Sequence, residues 1–311
     1  MTLRPLVPAD AEAALAVWNR AAPHDPLSPA LFAEKVWGEP AGTALAAVAG
    51  GAVIGLGVGV LWPAPDALRG SIRLLAVAPE HRREGVGSAL LADMEADLAG
   101  RGATVLRMGE AAPNYLTPGI DVRYDAGLAF AAARGYRAIG EAVNLGVDLT
   151  SDPLAPPGDA PWQTGGAEAH LAEQGVTVRR AEHADRPALG RLLDANWPAW
   201  RAEVDRALAA PPTLHVALRG GEALGFAAHS ANNVGTGWFG PMGTAPEARG
   251  LGIGAVLLRR CLADLARAGR RRATIAWAAA LPFYERACGA VVERRFQRVE
   301  KTATGGAARL P

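Results

Sequence analysis

Cysteine is almost missing from this chain: among 311 residues there are two, Cys261 and Cys288. They lie far apart and outside any CxxC or Cys/His cluster, which excludes a disulfide framework and leaves no zinc-type ligand set, so no metal is expected. An excess of charge is missing too. Lys and Arg number 32 against 31 Asp and Glu, a net +1, so the overall balance points to neither nucleic acid nor an anionic membrane as partner. No run of about 18 apolar residues is available to cross a bilayer. The opening MTLRPLVPADAEAAL lacks a basic stretch followed by an apolar core and a cleavage site, so the cytoplasm is the expected compartment. Lysine is nearly absent beside arginine, which reads as a compositional bias of the source. What is present is an ordinary core-forming balance, 50% hydrophobic and 20% charged, over a length that allows two domains.

The chain repeats itself. Leu3-Arg4-Pro5 and Asp10, leading into an Ala/Leu/Trp-rich helical pattern, are answered by Val178-Arg179-Arg180 and Asp185, an offset of 175 (178 minus 3, 185 minus 10). Each Asp is expected to cap the helix that follows it. AVAPEHRREGVGSALLADMEADLAGRG lies beside GTAPEARGLGIGAVLLRRCLADLARAG at an offset of 167 (249 minus 82). Val86, Leu90, Met94 and Leu98 then fall on one helical face, and Ile253, Leu257, Cys261 and Leu265 on the other copy's, so Cys261 is read as a core residue. FAAARGY from Phe130 pairs with YERACGA from Tyr284, an offset of 154 (284 minus 130). Apolar runs turning at Gly50-Gly51 and Gly220-Gly221 read as hairpins. DPLAPPGDAPWQTGG has no helical or strand period and reads as a linker. The expected organisation is an N-terminal domain over 1–150, a linker over 151–175 and a C-terminal domain over 176–303. Each domain is of α/β class, a mixed and mostly antiparallel twisted sheet flanked by helices.

Each copy carries Arg-x-x-Gly-x-Gly between an extended run ending in Ala-Pro-Glu and the first turn of a helix. A helix N-terminus presents unpaired N–H groups and a partial positive charge, and glycines let a phosphate come close to them. GLGIGA over 250–255 also fits a dinucleotide fingerprint. That motif belongs in the first strand-to-helix turn of a βαβ unit, whereas this one follows several strands and an earlier helix, and its partner EGVGSA lacks the leading glycine. The run from Gly55 to Gly59 reads as strand. With Arg82, Gly85 and Gly87 in one copy and Arg249, Gly252 and Gly254 in the other, the chain resembles two domains of the GNAT superfamily of N-acetyltransferases, joined as in tandem bacterial members of mycothiol synthase-like architecture.

The resemblance implies acetyl-coenzyme A as co-substrate. Its pyrophosphate would sit on Arg82, Arg83, Gly85, Gly87 and Ser88, or on Arg249, Gly250, Gly252, Gly254 and Ala255. Its pantetheine arm would pair with the strand ends Ala76-Val77 and Gly243-Thr244. The superfamily's proton-donating tyrosine falls on Tyr284, whereas the first copy has Phe130 there, which has no proton to give; Tyr124, six residues earlier, is the alternative donor in that copy. On this reading the second copy is the active one and the first is catalytically degenerate. The base is unassigned: His229 and His215 are in the right intrinsic range, and a water chain is an equal alternative. The acceptor is expected near His229, Asn232, Asn233, Trp238 and Trp277. Asn114 to Gly119 would cover a cleft or pack between domains. The basic run Arg267, Arg270, Arg271 and Arg272 reads as a solvated helix end or a contact for the coenzyme's 3′-phosphate. The expected function is acyl transfer to a primary amine of a small molecule, directly and in a ternary complex, by a monomer or homodimer. Open alternatives are a non-catalytic acetyl-coenzyme A-binding or sensing protein and a protein (Lys or N-terminal) acetyltransferase.

Overall fold

Both residues of each Gly-Gly pair adopt left-handed backbone, with φ of 58° and 82° at Gly50-Gly51 and 57° and 86° at Gly220-Gly221. That is the conformation a two-residue hairpin needs and that side chains resist. The computed structural model describes residues 1–38, 42–64, 67–153, 155, 161–209 and 211–303. It divides into two units, the first of residues 1–142 and 295–311, the second of 143–294.

The first unit runs β1 (Thr2–Pro5), α1 (Ala11–Ala21), α2 (Pro29–Trp37), β2 (Thr43–Ala49), β3 (Ala52–Ala64), β4 (Ala67–Val77), α3 (Val86–Gly100), β5 (Val105–Met108), β6 (Ile120–Asp121) and α4 (Asp125–Ala133) into β7 (Arg137–Asp148). Strands β1 to β5 lie side by side in chain order, antiparallel except that β4 and β5 are parallel. Residues 300–302 complete the sheet antiparallel to β5, and residues 296–297 pair with β6. The sheet buries both faces. Val17, Trp18, Leu31 and Phe32 of α1 and α2 meet Leu56, Val58 and Leu74 on one side. On the other, Val86, Leu90, Met94 and Leu98 of α3 meet Ile54, Ile72 and Leu106. The 3.6-residue apolar spacing of α3 and the two-residue alternation of the strands produce these two layers. The run Gly55 to Gly59 lies in β3, as expected.

The second unit takes up residues 143–148 of β7, then α5 (Gly165–Glu173), β8 (Thr177–Arg180), α6 (Arg186–Asn196), α7 (Arg201–Ala207), β9 (Leu214–Arg219), β10 (Glu222–His229), β11 (Trp238–Thr244), α8 (Ile253–Arg267), β12 (Arg272–Ile275) and α9 (Leu281–Cys288), and leads into β13 (Val291–Thr302). Its order is β8-β9-β10-β11-β12, again antiparallel save for the parallel pair β11 and β12, with residues 145–148 antiparallel to β12. Cys261 is fully buried on α8, in the place Met94 takes on α3. A methyl at Gly225 would face Ile253 and Leu257 of α8, whereas the next residue, Phe226, meets Trp197 and Trp200. Successive strand residues point to opposite faces, so α8 and Trp197 cover opposite sides of this sheet.

Three expectations are corrected here. The boundaries fall at 142/143 and 294/295 instead of near 150 and 303, because β7 and β13 each serve both units: every unit takes the strand that closes its sheet from the other copy's stretch of chain. The presumed linker is structured where it is described; its residues 154 and 156–160 lie outside the described residues. Trp162 is buried, Leu171 of α5 is in the core, and Asp152 receives the Arg259 guanidinium. A Pro/Gly-rich composition disguised this, since Trp162 is a single anchor without periodicity. Finally, Asp10 and Asp185 do not cap α1 and α6. Each grips an arginine of the strand just before its helix in a two-pronged pair, Arg4–Asp10 at 2.6 and 2.8 Å and Arg179–Asp185 at 2.7 and 2.8 Å. Each also accepts a backbone N–H from three residues back, Val7 and Glu182.

Candidate active site

In the first unit β4 and β5 pair only over Arg69–Ile72 and Val105–Met108. Chain β5 ends there, while β4 continues to Val77 still paired with β3. The edge of β4 from Arg73 to Val77 is thereby left facing an opening, a row of N–H and C=O groups of the kind an extended ligand can pair with. A cleft of about 960 Å³ starts at this opening.

One end of the cleft is cationic. Gly85, at φ 84°, caps α3, and a methyl placed on it would touch nothing; glycine is there for its backbone, not for packing. The first N–H groups of α3 project from the helix end. Arg82 donates to the carbonyls of Val77 and Ala21 at 3.4 and 3.1 Å, tying strand to helix α1. Arg134 bonds Ser88 Oγ and lies over the Phe130 ring at 5.2 Å. Arg83 also lines this end, at a left-handed φ of 69°.

The other end is acidic and phenolic. Tyr124 Oη donates to Asp25 Oδ2 at 2.9 Å and accepts from the His24 N–H at 3.0 Å. Trp18 Nε1 donates to the Asp25 carbonyl at 2.7 Å, which fixes the turn after α1. Asp121 holds Arg123 through two side-chain bonds of 2.8 and 2.6 Å. Leu116, Thr117 and Gly119 line the cleft. Their neighbour Asn114 is buried between Lys35 Nζ and the Glu34 carbonyl, so the longer loop is wall material of this unit. Sequence reasoning reached Tyr124 but missed Asp25 and Asp121, which no motif marks.

The second unit repeats the loop. Gly250 and Gly252 have φ of 85° and 87°, and β11 pairs with β12 only through Trp238–Phe239, leaving Gly240 to Thr244 beyond the pair. Here, however, the ring of Trp197 stands over Gly243, 2.6 to 2.9 Å from where a Cβ would be. It stacks on Trp200 (5.4 Å between centroids, 16° between planes) and meets Phe226 edge-on at 5.9 Å.

Tyr284 packs edge-on against Phe239 at 6.4 Å and Phe283 at 5.0 Å, and burial pushes its phenol up to about 12. The contacts also revise the alignment of this helix. Phe130 lies 3.6 Å from a Cβ on Gly87, and the ring at 3.4 Å from a Cβ on Gly254 is Phe283. Phe283 is therefore the counterpart of Phe130, and Tyr284 answers the core residue Ala131. The stretch before Gly289 is one residue longer than that before Gly135.

The other candidates of the second unit do not converge. His229 is buried with Nε2 3.4 Å from Asp264, and His215 Nε2 is 2.7 Å from the same carboxylate, which also receives Arg180 and Arg267. Burial pushes the His215 imidazole below its ordinary value against the pull of Asp264. Burial also pushes the Asp264 carboxyl upward, but the histidine bonds and the Arg180 charge outweigh it and hold it well below the carboxylate range. Trp238 is buried; Trp277, at φ 47°, donates its N–H to Asn144 Oδ1 at 2.9 Å. Asn232 and Asn233 are buried in their own turn, joined at 2.9 Å. Of the basic run, Arg267 is paired to Asp264 and Arg272 to Glu293 at 2.8 Å.

The acetyltransferase (GNAT) family model matches residues 10–116 and 178–290, more than half of the chain. The chain belongs to that family and contains two of its domains. Among curated proteins there is no match. Among solved structures, the fold is similar to a GCN5-related glucosamine N-acetyltransferase region of a fungal multi-domain GH3 beta-N-acetylglucosaminidase, with TM-score 0.82 and 18% identity over 96% of this chain and 38% of that one. It is similar to a tandem GNAT protein from the clavulanic acid biosynthesis pathway (TM-score 0.70, 19% identity, 98% of this chain and 99% of the other). A GCN5-related N-acetyltransferase from Sphaerobacter thermophilus has TM-score 0.68 and 20% identity over 98% of this chain and 96% of its own.

Proposed function

We propose that this chain is an acetyl-coenzyme A-dependent N-acetyltransferase that acylates a primary amine of a small molecule in a ternary complex, and that its working site is the cleft of the first unit. The observation that supports this is one cleft joining a glycine loop on a helix end, a strand edge that outruns its parallel neighbour and a Tyr–Asp pair. The N–H groups of Gly87 and Ser88 with Arg83 and Arg134 would hold the pyrophosphate. The backbone of Leu75 to Val77 would hold the arm. The co-substrate supplies the activated acetyl group.

The chain's own residues then handle protons. Attack needs a neutral amine, and Asp25 Oδ2 takes the proton the amine gives up as its nitrogen bonds the acetyl carbon. Tyr124 Oη hands a proton to the sulfur as the carbon–sulfur bond breaks. The 2.9 Å bond between Tyr124 and Asp25 lets the proton gained by the carboxylate restore the phenol, so the pair ends as it began.

Calorimetric titration of acetyl-coenzyme A into the wild type, Gly85→Glu and Gly252→Glu tests this reading. The expected result is loss of binding in Gly85→Glu alone. Wild type without binding overturns the reading, and loss in Gly252→Glu alone moves the site to the second unit.

A further inference from the structure

The two units differ at one pair of positions in a way that decides which of them takes coenzyme. Ala22 and Trp197 end helices α1 and α6 in the same backbone state, φ −122° and ψ 67° against φ −148° and ψ 62°. Each returns its N–H to the carbonyl four residues back, Trp18 at 2.8 Å and Leu193 at 2.7 Å, and each is followed by proline, Pro23 and Pro198. The strand residues beneath them correspond as well: Ala76 and Gly243 share the offset of 167 (243 minus 76) that aligns the glycine loops. In the first unit both positions are alanine and both line the cleft. In the second, a tryptophan replaces the first alanine and a glycine the second, and the indole lies on that glycine with no room for a methyl between them.

We infer that Trp197 is the residue that confines coenzyme binding to the first unit: its ring fills, over the β11 edge, the space that Ala22 leaves open over the β4 edge. This rests on the reading of the first cleft as the acetyl-coenzyme A site. The glycine loop below is intact in backbone, with left-handed Gly250 and Gly252 matching Arg83 and Gly85. The difference between the units therefore lies in the indole and not in the cradle. The ring is held by its stack on Trp200 and its edge contact with buried Phe226, so it is a fixed filler and not a side chain resting on the surface.

Calorimetry counts the sites. Wild type is expected to bind one acetyl-coenzyme A per chain and Trp197→Ala two, with Gly85→Glu/Trp197→Ala binding one at the newly opened place. The converse variant Ala22→Trp/Ala76→Gly, checked for native circular dichroism, is expected to bind at least 10-fold more weakly than wild type; it also carries the test should Trp197→Ala fail to fold. A folded Trp197→Ala that still binds one, an unweakened converse variant, or a wild type that binds two overturns the inference and leaves the proposed function standing. A wild type that binds none overturns both.

Discussion

In the first unit the strand that outruns its parallel neighbour carries Ala76, passes beneath Ala22 and borders a cleft of about 960 Å³; in the second the equivalent strand passes beneath Trp197, which touches it at Gly243. The loops beside these strands share their glycines, their left-handed turns and their helix register. A conserved-looking cradle therefore does not measure whether its domain can take a ligand. What fills the adjoining space does, and that is set by a residue from a different helix. The second difference is acidic. Asp25 and Tyr124 meet in the first unit; in the second, Trp200 stands where the offset of 175 (200 minus 25) places the counterpart of Asp25.

The largest test asks whether either copy stands alone. A fragment of residues 1–150 keeps every motif of the first copy but lacks residues 295–302, which pair with β5 and β6 and bury Phe296 and Val299. It is expected to show no cooperative thermal transition, read by circular dichroism, whereas appending 295–302 through a flexible linker restores one. A sharp melt of the bare fragment breaks the account of the closing strands.

Next in size is the comparison of the two tyrosines. Tyr124→Phe removes the proton-bearing hydroxyl from the first cleft, and kcat is expected to fall about 100- to 1,000-fold with KM for acetyl-coenzyme A unchanged. Tyr284→Phe, half-buried against the core of the second unit, is expected to leave kcat within about twofold. The reverse outcome returns the chemistry to the second unit.

Two aspartates at the same helix position give a smaller contrast. Asp264 is buried among His215, His229, Arg180 and Arg267, while Asp97 is one-third exposed beside Arg101 and Thr43. Asp264→Asn is expected to cost about 3 kcal/mol and Asp97→Asn below about 1 kcal/mol, by urea denaturation at pH 7. The sign of the pH dependence follows. Asp264 titrates lower folded than unfolded, so its stabilisation is complete above about pH 4 and is lost on acidification toward its folded value. His215 also titrates lower when folded, so stability declines as pH falls below about 6.5. Asp264→Asn should flatten the carboxylate part of that decline, and Asp97→Asn should not.

The smallest effect concerns the loop itself. Arg83 holds a left-handed φ of 69° where the second unit has Gly250 at 85°. Arg83→Gly is expected to raise stability by about 0.5–1 kcal/mol while weakening acetyl-coenzyme A binding several-fold through the lost cation. A destabilised variant would mean that the side chain carries packing that outweighs its backbone strain.

What could be read from the sequence was local. Hairpin turns at the Gly-Gly pairs, the apolar face that buries Met94 and Cys261, and the helix-end loops are all decided by residues within a few positions of each other. The strand exchange was not readable, because β5 finds its partner nearly two hundred residues away and nothing in VVERRFQRVEKT names that partner. Nor was the meeting of Tyr124 with Asp25, 99 residues apart. Tyr284 was matched to Phe130 because gapless counting from Gly135 and Gly289 hides one extra residue, which the ring contacts reveal. That Trp197 lies on Gly243 depends on how α6 crosses the sheet, which no local pattern states.

The late arrival of the closing strand has a consequence for the chain as it is made. At about 5–20 residues per second, residue 302 leaves the synthesis machinery roughly 10–40 s after β5 does. For that interval the outer edge of β5 has only later, unmade sequence to pair with. Open strand edges recruit other strands, so the newborn first unit is most exposed to aggregation during this interval. The arrival of β13 ends it.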